Sequence, residues 1–211
     1  MKEIDWYFDV ISPYAYLQMF HMDRLPADVT VRYRPVLFAG LLNRWRHKGP
    51  AEIPGKRIYT FRQAHWLAKR SGVPYRLPPK HPFNPLRALR LAIALGSEQD
   101  PIKKIFRAIW SDGLLPDDPA GWQGIAAATG CSEADLLIED QKVKDELRAN
   151  GARAISAGVF GVPTFAVDGA LFWGQDATDF LLDCLENPGL LDDPEIRRID
   201  TVQPSAVRPG N

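Results

Sequence analysis

Phe8-Asp9-Val10-Ile11-Ser12-Pro13-Tyr14-Ala15-Tyr16 is the stretch whose reading decides the fold. Upstream of it Ile4, Trp6, Phe8 and Val10 alternate with Asp5, Tyr7 and Asp9. This is the two-residue period of a strand with one face turned to a core. Ser12-Pro13 then opens a helix, with serine at the N-cap and proline at the first helical position, where no amide hydrogen is needed. A hydroxyl is thereby set at the mouth of a strand-helix turn, beside free amides and the positive end of a helix dipole, an environment that stabilises an anion. The dipeptide by itself is equally that of an ordinary helix cap.

Read outward, Val29, Val31 and Tyr33 alternate with Thr30, Arg32 and Arg34 and make a second strand. The intervening helix carries Leu17, Phe20 and Met22 and runs to near Leu25-Pro26, which implies a right-handed βαβ unit. From Phe38 the pattern becomes helical: residues 38–46, 55–69, 86–95, 102–110 and 119–128, with a further helix begun by Ser132-Glu133-Ala134-Asp135. Leu77 to Pro85 holds four prolines and is irregular. A helix over 141–157 leads to Phe160-Gly161-Val162-Pro163-Thr164-Phe165 and a hairpin whose turn, Asp168-Gly169, has the residues of a type I′ turn. The last helix spans 176–186, with Cys184 on its apolar face beside Phe180 and Leu181.

Strand, helix with an active N-terminus and, much later, Val-Pro before a β-hairpin resemble the thioredoxin fold. The resemblance implies a cis peptide before Pro163, facing the helix start. The expected class is α/β, a thioredoxin-like domain (1–37 and 140–190) interrupted by an all-helical insertion (38–139) and followed by a C-terminal tail (191–211). Redox members of that fold carry Cys-x-x-Cys at the helix start. Here the slot reads Ser12-Pro13-Tyr14-Ala15, so a disulfide oxidoreductase is excluded for want of paired thiols.

Composition bounds the rest. With 26 basic and 26 acidic side chains among 211 residues the formal net charge is zero, so no overall field favours nucleic acid or an anionic membrane. No apolar run is long enough for a membrane span, and strand begins almost at once after Met1, without a signal stretch. Cys131 and Cys184 are far apart, and His21, His47, His65 and His81 show no ligand spacing, so neither a metal nor a redox pair is expected. A reducing cytoplasm is the expected compartment. The basic cluster Arg44-Trp45-Arg46-His47-Lys48 reads as ligand-facing or solvated.

Ser-Pro-Tyr-x-Tyr, Phe-Gly-Val-Pro-Thr and Phe172-Trp173-Gly174-Gln175-Asp176 together resemble the 2-hydroxychromene-2-carboxylate isomerases, in the branch that also holds the kappa-class glutathione transferases. The resemblance extends over residues 3–187 and includes Lys48-Gly49-Pro50-Ala51-Glu52-Ile53-Pro54 and His81-Pro82-Phe83-Asn84-Pro85-Leu86. It implies glutathione as a bound, unconsumed cofactor. Ser12 would stabilise its thiolate, the nucleophilic form, while Val162, Pro163, Trp173, Gly174, Gln175 and Asp176 would hold its peptide and γ-glutamyl end. Lys48, Glu52, Phe83 and Asn84 are the expected lining for a small aromatic carboxylate. Asp176 and Asn84 read equally well as helix caps, and Phe83 as core. Family members often continue Gly-x-Asp-Arg, but Ala177 follows Asp176 here. The implied reaction interconverts 2-hydroxychromene-2-carboxylate and trans-o-hydroxybenzylidenepyruvate, with a homodimer as the expected assembly. A kappa-like transferase and a non-catalytic thioredoxin-fold binding module are the alternatives.

Overall fold

At the centre of the sheet lies β1 (Lys2–Phe8), flanked by β2 (Val29–Pro35) on one side and by β3 (Thr164–Val167) and then β4 (Ala170–Trp173) on the other. The computed structural model describes residues 2–206. β1 and β2 are parallel, with Lys2 opposite Val29 and Phe8 opposite Pro35. They are joined through α1 (Pro13–Met19), as a parallel pair requires a crossover. β3 runs antiparallel to β1, with Phe165 opposite Trp6, and β4 antiparallel to β3. The β3–β4 turn has positive φ at both Asp168 (50°) and Gly169 (83°), the type I′ geometry its sequence calls for.

Between β2 and β3 the chain is helical: α2 (Phe38–Trp45), α3 (Pro54–Arg70), α4 (Leu86–Ala94), α5 (Gln99–Trp110), α6 (Pro119–Thr129), α7 (Ala134–Leu137) and α8 (Gln141–Ser156). After the hairpin come α9 (Thr178–Glu186) and α10 (Pro194–Arg198). This is the thioredoxin-like, mixed α/β architecture expected. Period-2 alternation on β1 sends Ile4, Trp6 and Phe8 into the larger core, where Trp6 stacks on Phe8 at 4.6 Å and Phe106 of α5 packs against both rings. Tyr7, on the opposite face, joins Val36, Leu41, Ala154, Val159 and Val162 in a smaller core under α2 and α8. Truncating an aromatic such as Phe8 in so closed an environment costs about 3–5 kcal/mol.

Several local expectations are corrected. α1 stops at Met19, not near Leu25: Phe20 and His21 close it with bonds back to Leu17 and Gln18, and Met22–Arg24 form a separate 3-10 turn. The helix expected over 176–186 as the last one is α9, which is followed by α10; it begins at Thr178, because Gln175–Ala177 wind as a 3-10 turn and the Thr178 hydroxyl donates to Gln175 O (2.9 Å). Ser132 caps nothing; Glu133 precedes α7 without a side-chain cap bond. Phe180 is largely exposed and meets Phe172 edge-on, whereas Leu181 and Cys184 are buried. In the tail, α10 sits between two 3-10 turns and carries the ion pairs Arg197–Asp192 and Arg198–Glu195, while residues 207–211 of the expected tail lie outside the described residues.

The largest departure from the alternation is Asp9. Off the core face by its period, it is nevertheless fully buried. Its Oδ1 accepts from Ile11 N (3.0 Å) and its Oδ2 from Phe38 N (2.8 Å), tying the end of β1 to the first residue of α2. Burial pushes its carboxyl from 3.8 up to about 7, against the lowering effect of those two amides. Because the folded protein holds this proton more tightly than the unfolded chain, the associated stability is fully present below about pH 3.8 and is lost as the pH rises through about 7. Asp9→Asn should therefore remove a downward slope of stability between those pH values, worth about 4 kcal/mol. Urea unfolding of both proteins from pH 4.5 to 8 checks this: the wild-type advantage should shrink as the pH rises, and parallel profiles would refute it.

Candidate active site

Ser12 caps α1 with an extended backbone (φ −90°, ψ 118°) and Pro13 directly behind it. Its Oγ accepts from Ala15 N at 3.3 Å and donates to Val162 O at 3.5 Å. The hydroxyl is thus both a cap and a group that looks across at the Val162–Pro163 loop, 150 residues away. Both contacts are long for their type, so the hydroxyl hydrogen has no strong acceptor in the protein. The Val162–Pro163 peptide is cis, as expected; a second cis peptide, His81–Pro82, was not foreseen.

The loop is closed from above by Trp173, which is half-exposed and edge-on to Phe160. A Cβ on Gly161 would stand 2.4 Å from Trp173 Nε1, so only glycine lets the indole lie there. Gly174 adopts φ 99°, donates its N–H to Pro163 O (2.9 Å), and has the Asp176 carboxylate folded back over it. Trp173, Gly174 and Asp176 are therefore brought beside Pro163, as the sequence motif implies. Asp176 is exposed, makes no ion pair among the described residues, and helps to raise the pKa of Tyr14, whose main perturbation is burial.

The turn bearing Ser12 is gripped by groups that the sequence reading missed. Trp110 Nε1 donates to Val10 O (2.8 Å) and His81 Nε2 to Ile11 O (2.9 Å). Since a carbonyl only accepts, His81 carries its hydrogen on Nε2. Burial, and to a smaller extent the Arg57 guanidinium, lower its pKa, outweighing the bond to Ile11. Below the turn Gln18, 1% exposed, accepts from Trp6 Nε1 (2.7 Å) and donates to Gly174 O (2.9 Å) and Thr178 Oγ1 (3.1 Å). It links β1, α1 and the Gly174 loop. Tyr14 OH donates to Gln63 Oε1 of α3 (2.7 Å), and the exposed Tyr59, one turn earlier on that helix, adds to the raising of the Tyr14 pKa.

Of the four residues expected to line a substrate, Phe83, Asn84 and Glu52 make contacts within the fold and Lys48 is exposed. Phe83 is 5% exposed and packs on Trp110 and His81, so it is core. Asn84 Oδ1 accepts from Leu86 N (3.1 Å) and its own N–H donates to Asp117, which makes it a turn residue before α4. Glu52 Oε1 accepts from Gly49 N (2.6 Å) and stabilises the 3-10 turn ahead of α3. Lys48 is exposed, as are its basic neighbours; Arg44 lies over the Trp45 ring. The Arg57 charge is felt at His81, and its one signal in the sequence is its place in the first turn of α3.

Residues 3–186 match the family model described as DSBA-like thioredoxin domain. A 2-hydroxychromene-2-carboxylate isomerase of Sphingobium xenophagum is 30% identical over 190 residues, covering 85% of this chain and 96% of that protein. Glutathione S-transferase kappa 1 of Caenorhabditis elegans is 25% identical, over 92% and 95% of the two chains. A solved 2-hydroxychromene-2-carboxylate isomerase superposes with a TM-score of 0.74 at 21% identity, over 95% of this chain and all of the other. With its Ser12 turn facing Val162–Pro163, the chain belongs to the DsbA-like thioredoxin family, in the branch of the 2-hydroxychromene-2-carboxylate isomerases and kappa-class glutathione transferases.

Proposed function

We propose that this protein is a glutathione-dependent isomerase that interconverts 2-hydroxychromene-2-carboxylate, or a larger aromatic homologue, and the trans-o-hydroxybenzylidenepyruvate form. The observation that carries the reading is the Ser12 hydroxyl, 8% exposed, with only long contacts to Ala15 N and Val162 O. The residues fit glutathione. Ser12 has a hydroxyl hydrogen to give to a sulfur, the half-exposed Trp173 offers an apolar wall, and the exposed Asp176 carboxylate, without an ion pair among the described residues, suits an ammonium group. Bound glutathione would supply a thiolate that adds reversibly to a conjugated double bond and so lets it rotate.

The protein's part is to hold and polarise. Ser12 would donate to the sulfur and favour its anionic form, as a hydrogen bond to the charged state lowers a thiol pKa. Val162, facing Ser12, would pair with the cofactor's backbone, and Gln18 would keep α1 and the Gly174 loop in register beneath it. At the mouth, Tyr59 would suit an aromatic ring and Arg57 a carboxylate. The kappa-transferase relative favours a second reading, in which a conjugate is released. The two differ in stoichiometry: an isomerase turns over many substrates per glutathione, and a transferase consumes one each time.

Ser12→Ala should raise the pKa of bound glutathione and lower isomerase turnover about tenfold to a hundredfold, the equivalent of one charge-assisted hydrogen bond of roughly 1.5–3 kcal/mol. Thiolate absorbance against pH, with each protein saturated by glutathione, is the decisive measurement. Superimposable titrations, with only about 1 kcal/mol of stability lost, would reduce Ser12 to a cap. Gly161→Ala must displace the Trp173 indole. It should weaken glutathione about tenfold, some 1.4 kcal/mol, while the melting temperature of the free protein changes little. An unchanged Kd by calorimetry would remove Trp173 from the binding surface.

A further inference from the structure

A second cavity lies away from the Ser12 turn, where α2, α4 and α8 meet. It has a volume of about 280 Å³ and is walled by Leu37 and Leu41, Leu86, and Leu147 and Ile155. Three cations stand around this apolar wall: Arg90 from α4, and Lys144 and Arg148 one turn apart on α8. Their carboxylate partners are Glu139, shared by Arg90 (3.5 Å) and Lys144 (2.5 Å), and Asp145, which pairs with Arg148 (2.7 Å). Three cations against two carboxylates leave one positive charge over. The Arg90 Nε is also buried and has no hydrogen-bond partner among the described residues, an arrangement that costs free energy unless something accepts from it.

Two glycines mark the same cavity. Gly40, in the first turn of α2, and Gly151, in the interior of α8, both line it, and a Cβ built on either meets nothing within 4 Å. At Gly151 glycine costs the helix about 0.5–1 kcal/mol relative to alanine. Neither backbone conformation nor crowding requires it. What the two glycines do is keep the cavity open.

We infer that this cavity binds a small apolar monocarboxylate, its hydrocarbon body against the leucines and its carboxylate on the Arg90 guanidinium. The volume sits near the lower end of small-molecule sites, and the lining has their usual composition of apolar walls with a few convergent polar groups. A planar guanidinium offers two parallel donors that match a carboxylate better than an ammonium does. A wholly apolar ligand would leave Arg90 unsatisfied, and a polyanion would have little to meet over most of the wall.

The probe is 4-phenylbutyrate, with 4-phenylbutanamide as its neutral isostere, titrated calorimetrically into the full chain without glutathione. This keeps the result independent of the catalytic reading. Binding of the acid with a Kd below about 1 mM, and at least tenfold weaker binding of the amide, is expected. Gly151→Leu, which fills the cavity with a better helix former, should abolish binding; Arg90→Gln should weaken it tenfold or more, and Ser12→Ala should leave it unchanged. Should Gly151→Leu fail to fold, Arg90→Gln and the methyl resonances of Leu41, Leu147 and Ile155 decide, since these should shift with the probe. No heat with the acid, equal affinity for the amide, or an unchanged Kd in Arg90→Gln overturns the assignment.

Discussion

Everything in this fold that bears on chemistry depends on how the four residues Asp9 to Ser12 are held. β1 must end there and α1 must begin, and the backbone groups of so short a turn have no regular partners. The two amides are met within the turn and the two carbonyls from far along the chain. The Asp9 carboxylate takes the amides of Ile11 and Phe38, Asp9 O takes the Ser12 amide, Trp110 gives to Val10 O, and His81 gives to Ile11 O. Buried backbone polar groups are costly when left unpaired, so these bonds fix the turn in one geometry. Ser12 is thereby aimed at Val162 by constraint and not by its own cap alone.

The same bonds make the helical stretch part of the site. Trp110 ends α5 and His81 stands in the proline-rich loop before α4, both far in sequence from the strand they hold. Phe106, one turn before Trp110, packs on Trp6 and Phe8 of the sheet. A change in the packing of α5 is consequently felt at the carbonyl two residues before Ser12. The cost of burying Asp9 is offset in part by the two amides, of Ile11 and Phe38, that its carboxyl oxygens satisfy.

What the sequence revealed and what it concealed divide along this line. Ser12-Pro13, the Val162-Pro163 loop, the Asp168-Gly169 turn and the β1 core face were legible, since each rests on local rules: a cap preference, a turn conformation, a period of two. Asp9 was misjudged by that same period, because alternation assigns a face and not a depth, and α2 covers the second face at the strand's end. Trp110, His81 and Gln18 were missed because their partners lie 100, 70 and 156 residues away, at separations where no spacing rule operates. Phe83 and Asn84 show the opposite failure. Their motif is genuine, but what it specifies is a packed loop and a helix start that set His81 in place.

Satisfaction of polar groups also indicates where a ligand would act. Around the turn the tryptophan N–H groups of Trp6 and Trp110, both Asp9 oxygens, and both ends of the Gln18 amide have partners at 2.7–3.1 Å. Such bonds are near their optimum and offer nothing to a newcomer. The Ser12 hydroxyl differs, with contacts of 3.3 and 3.5 Å only. A hydroxyl hydrogen rotates freely about its C–O bond, so Ser12 can leave the Val162 carbonyl for a better acceptor with no movement of the backbone. A sulfur anion between α1 and the Val162 loop would be such an acceptor, gaining a charge-assisted bond while the carbonyl it displaces becomes free to take the ligand's own amide. Rigid scaffold and one under-used hydroxyl are thus complementary. The tighter the surrounding network is bonded, the less of the binding energy of an anion placed there would be lost in reorganising it.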